Sequence, residues 1–228
     1  ENRGTGFVFI AHDSEHSMFI DPINVNNGLY ENRVTINDPV MTAAGVSSFQ
    51  PQWLHEKLTA NPEYRMRFAD RASARFSPGG VLSAEKCLER FRLRKEQIDM
   101  SIIAESARWG DAKSVSPRNK FDDWIPELND IENRLFPVRS QIVVNQLKAA
   151  GLYPYVEAPV FRRNSEILTG DVSFTSSVVI IFQNPNLSGK IYFTKDGSDP
   201  RAIGGTVSAS AAAAENNSSM TVFETTLL

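Results

Sequence analysis

Cysteine is nearly absent: the 228-residue chain has one, Cys87. An internal disulfide is therefore excluded, and cysteine usage does not choose between an oxidising and a reducing compartment. No apolar run approaches the roughly 18 residues that a membrane-spanning helix needs. No basic stretch leading into an apolar core and a small-residue cleavage site opens the chain, so no signal peptide is legible. Neither charge sign dominates. Lys and Arg number 24 against 27 Asp and Glu, a net charge of -3, which gives no bulk attraction for nucleic acid or an anionic membrane. A nucleic-acid partner is not expected. The glycine-rich dinucleotide and phosphate loops, the GxSxG elbow, HExxH and CxxC are all missing, which removes the simplest routes to several enzyme classes.

What is present suits a globular fold. Hydrophobic residues make up 41% and charged residues 22% of the chain, enough apolar material for a real core. Residues 6 to 11, with Phe7-Val8-Phe9-Ile10, read as a short buried strand. The sequence starts just before that run and closes on Leu227-Leu228, so a domain cut at both ends is expected. Residues 20 to 48, rich in Asn, Gly, Asp and Pro, read as a long ordered loop.

Helical spacing follows. Pro51 sits in the first turn of a short helix carrying Trp53, Leu54 and Leu58. Asn61 as N-cap and Pro62 at the first position start another, with Tyr64, Phe68, Ala72 and Phe76 along one face. Ser77-Pro78-Gly79-Gly80 breaks it. One long helix is expected from about Ser83 to Arg108, its stripe formed by Leu88, Phe91, Ile98 and Ile102. A polar loop spans Asp111 to Lys120. Helix then runs from about Asp123 to Ala150, kinked or split at Pro137, with Gly151 as the residue past its end.

After Tyr153-Pro154 the texture changes, and the seam between two pieces is placed near Ala158-Pro159. Val178 to Phe182 and Ile191 to Thr194 are β-rich runs separated by turn residues. Ala211 to Ala214 reads as loop. The fold class expected is α+β: a mainly helical part over 1 to 156 and an incomplete antiparallel β-sandwich over 157 to 228.

Two segments carry family resemblances. Lys190-Ile191-Tyr192-Phe193-Thr194-Lys195-Asp196-Gly197-Ser198-Asp199-Pro200-Arg201 resembles the signature of the chitobiase/hexosaminidase C-terminal-type module, also called the fibronectin-III-associated module. That resemblance implies an accessory, non-catalytic sandwich. The second set is Phe9-Ile10-Ala11-His12-Asp13-Ser14-Glu15-His16-Ser17-Met18, then Ala107-Arg108-Trp109-Gly110-Asp111, Leu135-Phe136-Pro137 and Gly151-Leu152-Tyr153-Pro154. It resembles the C-terminal part of CotH-type (spore coat protein H) kinase domains, as found in large secreted bacterial proteins. Such a domain implies a diverged protein-kinase fold that uses ATP and magnesium to phosphorylate Ser or Thr of proteins.

The resemblance maps a magnesium Asp onto Asp13, with Glu15 two residues on. Hard carboxylate oxygens suit magnesium, and alternate residues of an extended segment share a side. His12 and His16 depart from the usual family residues there. Under this reading the nucleotide-clamping Lys and the catalytic-loop Asp lie upstream of Glu1, so this chain alone is expected to be inactive. The implied setting is secreted or cell-surface, with a protein substrate or a surface polysaccharide as partner.

Plainer readings stand beside these. Asp13 and Glu15 also fit a solvated strand end. His12, Glu15 and His16 form a weak zinc pattern without a further ligand. His55 reads as a surface or half-buried structural residue, Cys87 as an inert core thiol, and Asp196 and Asp199 as turn residues rather than calcium ligands. Trp109 is expected to pack the helix end that Gly110 caps. Arg90, Arg92, Arg94 and Lys95 are expected on a solvated face near Glu89 and Glu96. A non-catalytic extracellular scaffold is the alternative function. An accessory region of a glycoside hydrolase is a third, but residues 1 to 156 show no paired carboxylates on a barrel.

Overall fold

The computed structural model describes residues 18, 25–35, 51–112, 114–168, 172–222 and 226–227. These form an α+β protein in which every pairing of named strands is antiparallel. The chain divides into two compact units. One holds the helices through Tyr153; the other runs from Pro154 onward and also takes in Asn61–Met66.

The helices are α1 (Val25–Tyr30), α2 (Pro51–Leu58), α3 (Pro62–Phe76), α4 (Ala84–Ile98), α5 (Ser101–Trp109), α6 (Ile125–Asp130) and α7 (Phe136–Ala149). Asn61 caps α3 as its position suggests: its Oδ1 accepts from the amides of Glu63 at 2.9 Å and Tyr64 at 3.4 Å, satisfying donors that a helix start leaves unpaired. Ser83 does the same for α4. The long helix expected over 83 to 108 is instead two. It parts at Asp99-Met100, where both residues keep right-handed helical dihedrals. Asp is a poor helix former because its carboxylate competes for local partners, and here Asp99 turns to Lys120.

The helical stretch ending at Ala150 shows how proline is accommodated. Two π turns, Lys120–Trp124 and Ile131–Leu135, precede α6 and α7. Pro126 and Pro137 stand at the second residue of the helix that follows each turn. The Ile125 amide donates to the Lys120 carbonyl, and the Phe136 amide to that of Ile131, both five residues back. A proline cannot continue the four-residue ladder; the wider turn just before it absorbs the lost bond. Pro137 therefore does split the stretch, and Pro126 repeats the device. At the other end Gly151 has φ +67°. Its amide reaches the Lys148 carbonyl at 2.9 Å, and the Leu152 amide reaches that of Leu147 at 2.8 Å. This is a Schellman ending, with Leu147 and Leu152 packed in one cluster.

Among the described residues, two apolar clusters hold this unit. Leu29, Ile131, Leu135 and Phe136 form one, with Leu88, Phe91 and Cys87 against it. Ala72, Leu147 and Leu152 form the other, joined by Phe68 and Phe76. Of the expected stripes, Phe68, Ala72 and Phe76 on α3 and Leu88 and Phe91 on α4 are packed in these clusters.

The second unit has a four-stranded sheet in the order β2-β1-β4-β7 and two two-stranded sheets, β3-β8 and β5-β6. The strands are β1 (Val160–Arg163), β2 (Glu166–Leu168), β3 (Val172–Ser173), β4 (Val178–Gln183), β5 (Ile191–Phe193), β6 (Ala212–Ala214), β7 (Ser219–Val222) and β8 (Thr226–Leu227). Ile180 on β4, 1% exposed, centres one cluster with Phe174 and Val222. Phe182, Ile191 and Ala214 centre another. Ala211 to Ala214, expected to be loop, supplies β6. Its alanines pair with β5, Ile191 opposite Ala214, where a small side chain fits under Phe182 and Phe193.

Candidate functional site

Asp13 and Glu15, the residues to which the resemblance assigns magnesium and nucleotide, lie outside the described residues, as do His12 and His16. Among the described residues no group of three or more His, Cys, Asp or Glu is gathered so as to hold a metal ion. The structure does describe how the segment downstream of Asp13 is fastened. The end of α1 is held by two side chains of α7. Arg139 donates from Nη1 to the Leu29 carbonyl and from Nη2 to that of Glu31 at 3.0 Å. Gln146 Nε2 donates to the carbonyls of Tyr30 at 3.0 Å and Glu31 at 3.2 Å.

The fastening has a simple cause. A helix end leaves carbonyls without intrahelical donors and carries partial negative charge, so a guanidinium fork suits it. Burial pulls the Arg139 guanidinium below its ordinary pKa, and the Glu31 carboxylate opposes that shift. Leu29, 5% exposed, anchors the same segment in the core. Sequence reasoning missed both clamp residues. The available signal was polar residues in an apolar stripe: Arg139 and Gln146 fall at helical spacing with Phe136, Val143 and Leu147.

The Arg108-Trp109-Gly110-Asp111 motif lies at the end of α5. A Cβ on Gly110 would stand 2.4 Å from the Arg118 carbonyl oxygen and 2.5 Å from that of Ser106. The glycine is required by close backbone approach, since its φ is an ordinary -57°. The Arg118 amide closes the loop onto the Gly110 carbonyl at 2.9 Å. Trp109 does not pack the helix end as expected; it is 54% exposed, with the Arg108 guanidinium 5.1 Å from its ring centre.

The loop returns through Asn119, whose Oδ1 caps the first π turn at the amides of Phe121 and Asp122. Next comes Lys120, a buried lysine expected to sit in a polar loop. Its Nζ lies 2.7 Å from Asp99 Oδ2. Burying an ammonium requires such a partner.

The basic stretch of α4 is also differently used. Arg92 and Lys95 converge on Glu132, at 2.8 and 3.0 Å. Burial raises the pKa of that carboxyl, but the two cations together outweigh it and hold it below the usual range. Arg90 bonds the Val81 carbonyl and stands 3.5 Å from Cys87 Sγ. His55 packs on the Phe68 ring with centroids 4.8 Å apart; burial lowers its pKa, and Glu56 raises it by less.

In the second unit, Asp196 Oδ1 accepts from the Ser198 amide at 3.0 Å and its hydroxyl at 2.6 Å, and Gly197 takes φ +75°. Asp199 Oδ1 accepts from the Arg201 amide at 2.8 Å and pairs with its guanidinium. Both aspartates act as turn formers, each bonding the residue two ahead. Hydroxyls continue outward: Ser198 meets Ser210 at 3.3 Å, and Ser210 meets Ser208 at 3.0 Å.

A scan against protein-family models, a search of curated proteins and a search of solved structures each found no match.

Proposed function

We propose that the chain is part of a secreted or surface-attached bacterial protein of the CotH type. In its intact form that protein moves a phosphoryl group from ATP to a Ser or Thr hydroxyl of a protein. The reading rests on one observation, the succession of motifs along the chain. The Phe9–Met18 segment, Arg108-Trp109-Gly110-Asp111, Leu135-Phe136-Pro137 and Gly151-Leu152-Tyr153-Pro154 precede the Lys190–Arg201 turn in the order that the resemblance implies. The kinase-like fold of residues 1 to 156 and the sandwich of 157 to 228 belong to the same proposal.

Asp13 would hold magnesium, with Glu15 as a second oxygen ligand or its support. Magnesium keeps few protein carboxylates and takes its remaining ligands from phosphate and water. When bound it supplies charge neutralisation at the phosphates. The protein's own part is to fix where those carboxylates stand. The clamp from Arg139 and Gln146 fastens the chain sixteen residues beyond Asp13.

The competing reading is a non-catalytic scaffold beside a surface polysaccharide. The hydroxyl chain Asp196-Ser198-Ser210-Ser208 favours it, since it offers sugar-like partners on an exposed face. Calorimetric titration of the intact parent with magnesium and ATP separates the two. The kinase reading expects binding by the wild type that Asp13→Ala abolishes. Equal binding by both, or none by either, overturns the Asp13 assignment. Glycan binding without ATP turnover would install the scaffold.

A further inference from the structure

In the second unit β1 and β4 pair with Val160 opposite Gln183, Phe161 opposite Phe182 and Arg162 opposite Ile181. Continuing that register three residues outward brings Glu157 opposite Asn186. The backbone ladder cannot follow, because Pro159 and Pro185 lie in the gap and neither has an amide hydrogen. A side chain takes over. Asn186 Oδ1 accepts from the Glu157 amide at 2.9 Å, and Asn186 Nδ2 donates to the Glu157 carbonyl at 2.9 Å. One carboxamide thus gives Glu157 the donor and the acceptor that an opposing peptide group would give it.

The rung is itself held. Asn184 Oδ1 accepts from the Asn186 amide at 2.9 Å and from its Nδ2 at 2.8 Å. Asn184 Nδ2 donates to the carbonyls of Ser188 and Gly189, both at 3.2 Å. The Asn184 amide in turn reaches Asn216 Oδ1 at 2.9 Å. Asn186 therefore enters the pairing with its rotamer fixed. The residues just ahead of the rung, Tyr155 and Val156, are 73% and 68% exposed, so apolar burial does little to hold them.

We propose that Asn186 is a side-chain strap that fastens the leading segment of the β unit at Glu157, extending the β1–β4 ladder past two prolines. The strap sets where the β unit's backbone is first fastened ahead of Val160. It depends on the amide nitrogen: an isosteric carboxylate keeps the acceptor for the Glu157 amide but sets a second oxygen against the Glu157 carbonyl.

Limited chymotrypsin digestion of the full chain tests this, with fragments identified by mass spectrometry. Tyr155-Val156 is a cleavable bond, whereas Tyr153-Pro154 is blocked by its proline. Cleavage after Tyr155 should quicken roughly tenfold in both Asn186→Asp and Asn186→Ala, the loss expected when such hydrogen bonds are removed. Amide exchange at Ile180 and Phe182 should stay as slow as in the wild type. Unchanged cleavage in either variant overturns the strap. So does faster cleavage accompanied by lost protection across β1 and β4, because the amide would then serve the unit's general stability.

Discussion

In the helical unit, segments far apart in sequence are tied mainly by charged side chains. Glu132 gathers Arg92 and Lys95, Lys120 takes Asp99, and Arg139 grips the end of α1. In the β unit the comparable ties are backbone ladders and the neutral amides that join Asn186 to Glu157 and Asn184 to Asn216, with one guanidinium, Arg162, donating to the Gln183 carboxamide. Its long-range ion pair Lys190–Glu215 is exposed on both sides, where such pairs contribute little. The difference follows from geometry. Helices satisfy their own backbone and meet through long side chains, whereas strands meet through the backbone itself. Acid and salt should therefore act on the two units unequally.

Apolar truncation is expected to be the largest effect, and it should ignore that difference. Ile180→Ala should cost the β unit about 4 kcal/mol, read from denaturant unfolding followed in that unit. Gly110→Ala should cost the helical unit about 3 kcal/mol, because backbone oxygens rather than a movable side chain meet the new methyl.

The ionic ties come next. Glu132→Gln should destabilise the helical unit by about 2 kcal/mol and flatten its acid response. The sign follows from the depressed carboxyl pKa. The contribution is whole above the ordinary value of 4.5 and is lost as the pH falls through the lower folded value.

A smaller effect belongs to His55. Its folded pKa lies below the ordinary 6.5, so its neutral form is favoured. The associated stability is whole above about pH 6.5 and declines as the pH falls below it. His55→Gln should remove that slope between pH 7 and 5. An unchanged slope would show that His55 is not its source. Asp196 is also held ionised, by the Ser198 hydroxyl and amide. It is fully exposed in a turn, so acid should loosen that turn and leave the sheets intact.

Local rules made much of the fold legible. Asn61 and Pro62 announced α3, Gly151 announced the end of α7, and the spacing of Phe68, Ala72 and Phe76 announced a packed face. Pro137 announced a split but not its form; the π turn before it is set by which carbonyl must find a new donor. Ala212 to Ala214 stayed illegible as a strand because alanine carries no β signal, and its place depends on Ile191 across the ladder. Lys120 with Asp99, and Glu132 with Arg92, were out of reach of spacing rules. Such pairs join elements 21 and 40 residues apart, and a charge in sequence looks solvated until the fold buries it. Asp13 and Glu15, proposed through a resemblance, lie outside the described residues.

The most direct measurement is amide exchange on the whole chain at about pH 7 and again near pH 3, at low and high salt, with protection followed separately in α4, which carries the Arg92 and Lys95 that pair with Glu132, and in β4. Charged ties in one unit and neutral ties in the other predict that α4 loses protection in acid and in salt while β4 retains it. Equal losses in α4 and β4, or acid-resistant protection in α4, would contradict the account.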